Sequence, residues 1–359
     1  MKRIAYFVSP HGFGHAARAA AVMQAVAEID DAVQFDIFTT VPCWFFQDSL
    51  STVFTYHALL TDIGLAQKTA FEFDLEDTLR ALNDFFPIAH SWITDICETI
   101  RTLNCVLIIC EIAPLGILVA RKAGIASVLV ENFTWDWIYQ QYANSIRGIN
   151  RHIDYLQPIF DAADYHIQTE PVCRYSSADL LTAPVSRRTT TKPDKIRDLL
   201  GLPSGSKMVL ITTGGIPQQY DFVEKLRDLR EISFVMPGAG PELCIRDNLI
   251  ILPHQSAFYH PDLVNASDVV IGKIGYSTLA EVYHAGIPFG YVSRSNFRES
   301  KSMVRFIEQH MAGVALSVSE FSTGNWMTKL ADLLDRPRLQ PGFNNGAEQI
   351  GRFIAGIVA

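Results

Sequence analysis

The sequence predicts an α/β protein of two successive domains, each built on a parallel sheet. Three observations carry this reading. The chain has 359 residues, too long for one ordinary α/β domain and sufficient for two of roughly 150–200. Short apolar runs alternate with stretches of helical length, the pattern of strand–helix–strand units. The alternation halts once, in a stretch at 183–206 rich in Pro, Ser, Thr and charge, and then starts afresh.

The first domain is assigned to residues 1–182. Ile4–Val8 is a short apolar strand, ended by Ser9-Pro10 and a glycine loop. An alanine-rich helix follows from about Ala16 to Ile29, and Phe35–Thr39 is a second strand. Residues 75–101 read as helix, interrupted at Pro87, which lacks the N–H a helix interior needs. Val106–Cys110 and Ser127–Val130 are buried strands flanking the helix Leu115–Ala123, whose end Gly124 marks. Residues 137–163 read as helix and Tyr165–Gln168 as a further strand.

The linker, 183–206, carries one short helix at about Lys192–Leu200. The second domain, 207–340, opens with the strand Met208–Thr212 and a helix near Tyr220–Leu229. Strands follow at Ser233–Met236, Leu249–Leu252 and Val269–Gly272. A helix spans about Ser277–Ala285, Phe289–Val292 is a strand, and helices follow at Ser300–His310 and Asn325–Leu334. Residues 341–359 form a last segment, helical from 345 behind Pro337 and Pro341.

Composition narrows the class. Hydrophobic residues make up 48% and charged residues 19%, which suits sizeable cores and excludes a disordered chain. No apolar run reaches the roughly 18–20 residues that span a bilayer. The N-terminal apolar stretch breaks at Ser9-Pro10, so it reads as a strand and not a signal peptide, and a cytoplasmic protein is expected. Six cysteines, at 43, 97, 105, 110, 173 and 244, form no Cys-x-x-Cys pair and no zinc spacing. They read as reduced and structural, and no metal site is expected. The net charge of −8 with no basic patch excludes nucleic acid as a partner. The charge is uneven: residues 1–175 hold 11 Lys/Arg against 20 Asp/Glu, while residues 176–359 hold 19 against 18. An anionic phosphate ligand is better tolerated by the second half.

The chemistry-bearing motifs sit where strands meet helices. The first is Ser9-Pro-His11-Gly12-Phe-Gly14-His15-Ala-Ala-Arg18. Its glycines allow a tight turn and close approach of a ligand. The dinucleotide fingerprint needs a third glycine at 17, where Ala stands. Instead, His15 lies at a helix N-terminus, whose positive end favours a neutral imidazole able to act as general base. His11 and Arg18 are candidate ligand contacts, and a surface or capping role is the alternative for each. The second motif is Gly272-Lys273-Ile-Gly275-Tyr-Ser277-Thr278-Leu-Ala-Glu281. Ser277 and Thr278 stand where caps or phosphate-contacting hydroxyls belong. Glu281, one turn on, suits the two hydroxyls of a ribose.

Further motifs are weaker. Thr213-Gly214-Gly215 offers bare amides for an anion after a strand. Asn132, Trp135 and Asp136 fall in Glu131-Asn-Phe-Thr-Trp-Asp-Trp137, where rings and amides suit sugar, with core packing of the tryptophans as the alternative. Arg294, Asn296 and Glu299 lie in a loop after the strand Phe289–Val292 and are candidates for a donor sugar. His254 follows another strand and is a candidate for the base or ribose. Trp44-Phe45-Phe46 reads as an apolar patch suited to a lipid-linked acceptor, although the acidic first half favours a small soluble one.

Together, His11-Gly-Phe-Gly-His15, Asn132-Phe-Thr-Trp135-Asp136 and Gly272-Lys-Ile-Gly-Tyr276 resemble GT-B enzymes near the MurG N-acetylglucosaminyltransferases. They resemble more closely the glycosyltransferase-like half of plant arabinokinases, and the resemblance covers most of the chain. A sugar-kinase half and a Walker-type loop are not seen in the sequence, so phosphorylation is not implied. The resemblance implies a GT-B fold, two Rossmann-like domains with parallel sheets facing an interdomain cleft. It implies a glycosyltransferase, hexosyltransferase-like, acting on a nucleotide-diphospho-sugar of the UDP type. It implies Thr213, Gly214 and Gly215 near the diphosphate, and Gly275, Thr278 and Glu281 around phosphates and ribose. His15 would face the cleft, and the last helix would cross back to the first domain.

Three departures stand out. The first loop has fewer glycines than MurG-type loops, and Ser300-Lys301 stands where the donor-sugar loop usually has a polar Gln pair. Phe289, eight residues after Glu281, replaces the second glutamate of many retaining GT-B enzymes, which favours inversion. The expected reaction is metal-free, needs no cofactor and uses His15 as base. A nucleotide-sugar hydrolase or epimerase on the same fold, and a non-catalytic sugar-nucleotide binding module, are the alternatives.

Overall fold

The computed structural model describes residues 2–215 and 220–359. The chain divides into two compact units. One comprises the stretch ending at Lys68, Phe73–Ser186 and Asn345–Ala359; the other comprises Thr69–Glu72 and Arg187–Asn344.

The first unit begins with β1 (Lys2–Val8), α1 (Phe13–Ile29), β2 (Val33–Thr39), α2 (Cys43–Ser49) and β3 (Phe54–Ala58). A two-residue antiparallel pair follows, β4 (Ala66–Gln67) with β5 (Phe73–Asp74). Then come α3 (Leu75–Phe85), α4 (His90–Thr102), β6 (Cys105–Glu111), α5 (Pro114–Ala123), β7 (Ser127–Glu131), α6 (Trp135–Tyr139), α7 (Asn150–Phe160), β8 (Tyr165–Thr169) and β9 (Leu180–Thr182). Seven strands form one sheet in the order β3-β2-β1-β6-β7-β8-β9. Every neighbouring pair is parallel. The central strands are buried on both faces, which is why they read as unbroken apolar runs.

The second unit holds α8 (Pro193–Leu199), β10 (Lys207–Thr212), α9 (Val223–Leu226), β11 (Ile232–Pro237), β12 (Cys244–Arg246) and β13 (Leu249–Leu252). It continues with α10 (His260–Ala266), β14 (Val269–Lys273), α11 (Tyr276–Ala285), β15 (Phe289–Val292), α12 (Ser300–His310), β16 (Gly313–Leu316), α13 (Val318–Thr323) and α14 (Leu330–Asp335). Its seven-stranded sheet runs β12-β13-β11-β10-β14-β15-β16. Only the edge strand β12 is antiparallel to its neighbour among the described pairs. One core gathers the buried rings of Phe222, Phe234, Phe321 and Trp326.

The last helix, α15 (Gly346–Val358), belongs to the first unit and packs on α1. The alanines of α1 and Gly351 permit this approach, since a Cβ at Gly351 would meet the Ala25 backbone at 3.1 Å.

Local departures from the sequence reading have local causes. The helix expected over 137–163 breaks before Asn150, where Gly148 takes φ 100°. The helix expected near Tyr220–Leu229 shrinks to α9, and Asn325–Lys329 is a 3-10 turn before α14. The edge strands β3, β9 and β16 and the helices α2 and α10 are short and lack clean periodicity, which hid them. The expected apolar patch Trp44-Phe45-Phe46 is not a patch. It lies on α2, and Phe45 and Phe46 turn inward to 4% and 0% exposure. Their apolar area is already buried in the fold, and Trp44 is half-buried. No helix among the described residues is long and apolar enough to cross a membrane.

Candidate functional site

In a parallel sheet the carboxyl ends of the strands share one edge, and ligands of open α/β sheets bind there. In the first unit that edge collects the glycine–histidine loop, the residue ending β6 and the loops after β3, β7 and β8. Gly12 takes φ 69° as the residue before α1, a conformation that favours glycine. The helix therefore starts at Phe13, earlier than the sequence reading had it. His15 lies in its first turn and Arg18 one turn on. Neither is a surface charge, as their exposures are 7% and 1%.

Both reach Glu111, which ends β6 and is fully buried. Arg18 Nε donates to Glu111 Oε1 at 2.6 Å, and His15 Nδ1 lies 3.3 Å from the same oxygen. Arg18 Nη1 donates to Asn132 Oδ1 at 2.8 Å and to Thr169 Oγ1 at 3.1 Å. One guanidinium thus ties the ends of β6, β7 and β8 to α1. A carboxylate paired with Arg18 accepts only, so the contact suits the His15 tautomer that carries a proton on Nδ1. In the neutral ring with its proton on Nδ1, Nε2 keeps a lone pair, the arrangement a general base requires.

Two carboxylates here were not singled out in the sequence. Glu111 closes the apolar run Cys105–Cys110, and a lone acid at the carboxyl end of such a strand is the signal that finds it. Asp62 lies after β3 and is 1% exposed. Ser9 Oγ donates to its Oδ1 at 3.0 Å and Trp135 Nε1 to its Oδ2 at 2.9 Å. Burial, reinforced by the charge of Glu111, pushes the Asp62 carboxyl up to about 7 against the pull of these two donors. Trp135 is therefore both buried and engaged through its N–H. Its ring meets His11 edge-on at 5.0 Å and His15 at 6.3 Å. A side chain at Gly64 would run into the His11 ring, so glycine there makes room for it.

Asp136 takes a different place from its neighbours. It is buried on α6 and lines a cavity with Glu131 and His166, whereas Asn132 and Trp135 join the His15 network.

In the second unit the candidates gather at the corresponding edge of its sheet. Thr212 ends β10, and Gly214, at φ 74°, donates its amide to Thr212 Oγ1 at 3.1 Å. Thr213 is buried and Gly215 half-buried. Gly272 and Lys273 end β14, and Gly275 precedes α11. Neither Ser277 nor Thr278 caps that helix through its side chain, because α11 starts at Tyr276. The first amides of a helix have no partner within the helix itself, and such amides suit an anion. Lys273 is buried, and burial with the nearby Arg294 guanidinium brings its ammonium down to about 7, against the opposing pull of Glu299. Arg294 and Glu299 are buried too, with the Arg294 guanidinium 4.2 Å from the Phe297 ring centre. Asn296 and His254 are exposed.

Glu281 has two partners that the sequence did not indicate. Arg187 donates to its Oε1 through Nε at 3.1 Å and Nη2 at 2.9 Å, and His260 Nδ1 lies 2.7 Å from Oε2. Burial pushes this carboxyl up, but Arg187 and His260 outweigh it and hold it below the ordinary range. Arg187 and His260 thus take three of its about four acceptor positions. His260 also approaches Thr212 Oγ1 with Nε2 at 3.4 Å, which links Glu281 to the end of β10. Arg187 and His260 escaped the sequence reading because one lies in the linker and the other on the unrecognised α10. Among the described residues no cluster of three or more His, Cys, Asp or Glu is placed to hold a metal.

Comparison with known proteins places this geometry. No family model matches the chain. It is 27% identical to the L-arabinokinase of Arabidopsis thaliana over 95% of its own length, and spans 33% of that protein. It is 24% identical to an uncharacterized glycosyltransferase of Methanopyrus kandleri, covering 72% of the chain and 78% of the relative. Among solved structures it resembles the MurG of Acinetobacter baumannii, with a TM-score of 0.53, 14% identity and coverage of 100% and 99% of the two chains. It also resembles Arabidopsis thaliana UGT89C1 complexed with UDP, with a TM-score of 0.62, 9% identity and 99% coverage of each. The chain has the GT-B fold, and the likenesses support a glycosyltransferase.

Proposed function

We propose that the chain is a glycosyltransferase that moves a sugar from a nucleotide-diphospho-sugar, of the UDP type, to a hydroxyl acceptor. The reaction is metal-independent and inverting. The observation that carries it is the buried His15–Glu111–Arg18 network, which leaves one imidazole nitrogen open as a base at the ligand edge of the first unit.

The two units supply different parts. The second holds the donor. Amides of Gly214, Gly215 and the start of α11 receive the diphosphate, with Gly272, Gly275, Ser277 and Thr278 close to it, and Lys273 adds charge. Arg294 and Glu299, with Asn296 at the rim, face the sugar. Thr213 and His254 serve the nucleotide, and Glu281 acts chiefly by holding Arg187 and His260. The first unit supplies the base. His15 Nε2 takes the proton of the acceptor hydroxyl as its oxygen attacks the anomeric carbon. The bond to the diphosphate oxygen breaks on the opposite face, and the diphosphate leaves with the electron pair. One displacement of this kind inverts the anomeric centre. Support for the UDP class comes from the likeness to UGT89C1, whose solved structure is a complex with UDP.

The test is nucleotide release from UDP-sugars with a chelator present. His15→Ala is expected to bind UDP as the wild type does and to release it roughly 10²-fold slower or worse. Equal release by the two proteins would remove His15 from the mechanism.

A further inference from the structure

The first unit contains a cavity that the proposed chemistry does not use. It measures about 370 Å³, within the roughly 300–1,000 Å³ typical of ligand sites. Its floor is one face of β7 and β8. Leu129 and Glu131 alternate along β7, and their register partners on β8 are His166 and Gln168. Phe160 of α7 and Asp136 of α6 contribute further walls.

The polar groups of the floor are held in place. His166 Nε2 lies 2.8 Å from Glu131 Oε1, and Gln168 Nε2 donates to the same oxygen at 2.7 Å. Gln168 in turn accepts from the Ser176 amide at 3.0 Å. Asp136 stands apart. It is 3% exposed; the Thr134 side chain and the Trp137 amide hydrogen-bond to its carboxyl, while Oδ1 has no hydrogen-bond partner among the described residues. Buried carboxylate oxygens are normally satisfied, so an unpartnered one on a residue of the cavity wall is an acceptor that a ligand's donor would satisfy.

Charge and shape select that ligand. The walls carry the carboxylates Glu131, Asp136, Asp161 and Asp179 against one arginine, Arg174. That balance repels phosphates and carboxylates. The rings of Phe133, Trp137 and Phe160 offer apolar faces to C–H surfaces. Carboxylates and amides that accept from hydroxyls, beside aromatic rings, suit a polyol. Phe133 also meets the His15 ring edge-on at 5.7 Å, so the cavity wall and the base share a residue.

We infer that this cavity receives the acceptor, and that the acceptor is an uncharged, hydroxyl-rich saccharide or polyol anchored on Asp136. Its identity as acceptor rests on the glycosyl transfer proposed above, whereas the binding chemistry stands on the cavity alone.

The test is saturation-transfer NMR on the full chain with D-glucose, D-galactose and myo-inositol, against D-glucose 6-phosphate and D-glucuronate. At least one neutral ligand is expected to give saturable transfer, with both anions silent. Asp136→Asn is expected to weaken that binding about tenfold or more and to leave UDP binding unchanged. If Asp136→Asn does not fold, Gln157→Trp, an exposed change at the mouth, is expected to block the signal. The inference is overturned by silence from all three neutral ligands, by equal signals from the anions, or by unaltered binding in a folded Asp136→Asn or in Gln157→Trp. Each of those results, found beside normal UDP binding and His15-dependent release, removes this cavity reading alone. Loss of UDP binding by the wild type removes the transferase reading instead.

Discussion

His15 Nδ1 and Arg18 Nε meet on one oxygen, Glu111 Oε1, at 3.3 Å and 2.6 Å. The relationship decides how the base works. Arg18 already compensates much of the Glu111 charge, so Glu111 orients the imidazole more than it drives proton uptake. The same carboxylate is structural, because Arg18 is 1% exposed and has to be paired.

Two substitutions separate these roles. Glu111→Ala leaves a buried guanidinium uncompensated and is expected to cost about 3–5 kcal/mol of stability, read by urea denaturation. Glu111→Gln keeps an acceptor for Arg18, so it is expected to fold with a smaller loss. Its kcat is expected to fall roughly 10²–10⁴-fold, because the tautomer of His15 is no longer fixed. Near-normal kcat in folded Glu111→Gln would assign Glu111 a purely structural role.

Lys273 predicts a proton count. Its ammonium is brought down from 10.5 to about 7, so at pH 8 most of the native protein lacks that proton. A bound diphosphate favours the charged form and raises the value again. UDP binding at pH 8 is therefore expected to take up as much as about one proton. Titration calorimetry in buffers of different ionisation enthalpy measures it. Binding without uptake would place the diphosphate away from Lys273.

Asp62 predicts a pH dependence of stability. Its native carboxyl titrates at about 7 against an ordinary 3.8, so the folded protein binds the extra proton between those values. The contribution is complete below pH 3.8 and is lost as pH rises through about 7. Asp62→Asn cannot ionise, so its urea midpoint is expected to gain on the wild type between pH 5 and pH 8. A constant difference across that range contradicts the assignment.

Glu281 predicts the opposite slope. Arg187 and His260 hold its carboxyl below the ordinary 4.5, so its contribution is present above pH 4.5 and is lost as pH falls through the lowered native value. Glu281→Ala removes the carboxylate that pairs with Arg187 in a nearly buried position and is expected to cost about 3–5 kcal/mol at pH 7. A loss that persists undiminished at pH 3 would show that packing, not the ion pair, carries the effect.

Much of this was legible from the chain. Doubly buried strands such as Ile4–Val8 declare themselves as apolar runs, and Gly12, Gly124 and Gly275 mark the turns beside them. His15 and Arg18 were visible because a glycine loop between strand and helix has few other purposes. Glu111, Asp62, Arg187 and His260 were not. Each acts through a partner distant in sequence, as Arg18 and Glu111 are 93 residues apart, and spacing carries no trace of such pairs. Glu281 shows the same dependence on distant partners. Its position one turn into a helix suited a ribose, and the partners on its oxygens come from elements the sequence did not display.

The most direct measurement is thermal unfolding of the whole chain with UDP-, GDP-, dTDP- and ADP-sugars in the presence of a chelator. A nucleotide-sugar at about 100 times its Kd adds about 2.7 kcal/mol to the unit that binds it. The account predicts that a UDP-sugar raises the melting temperature by several degrees, and that the shift survives in His15→Ala. A melting curve unmoved by all four classes would contradict it.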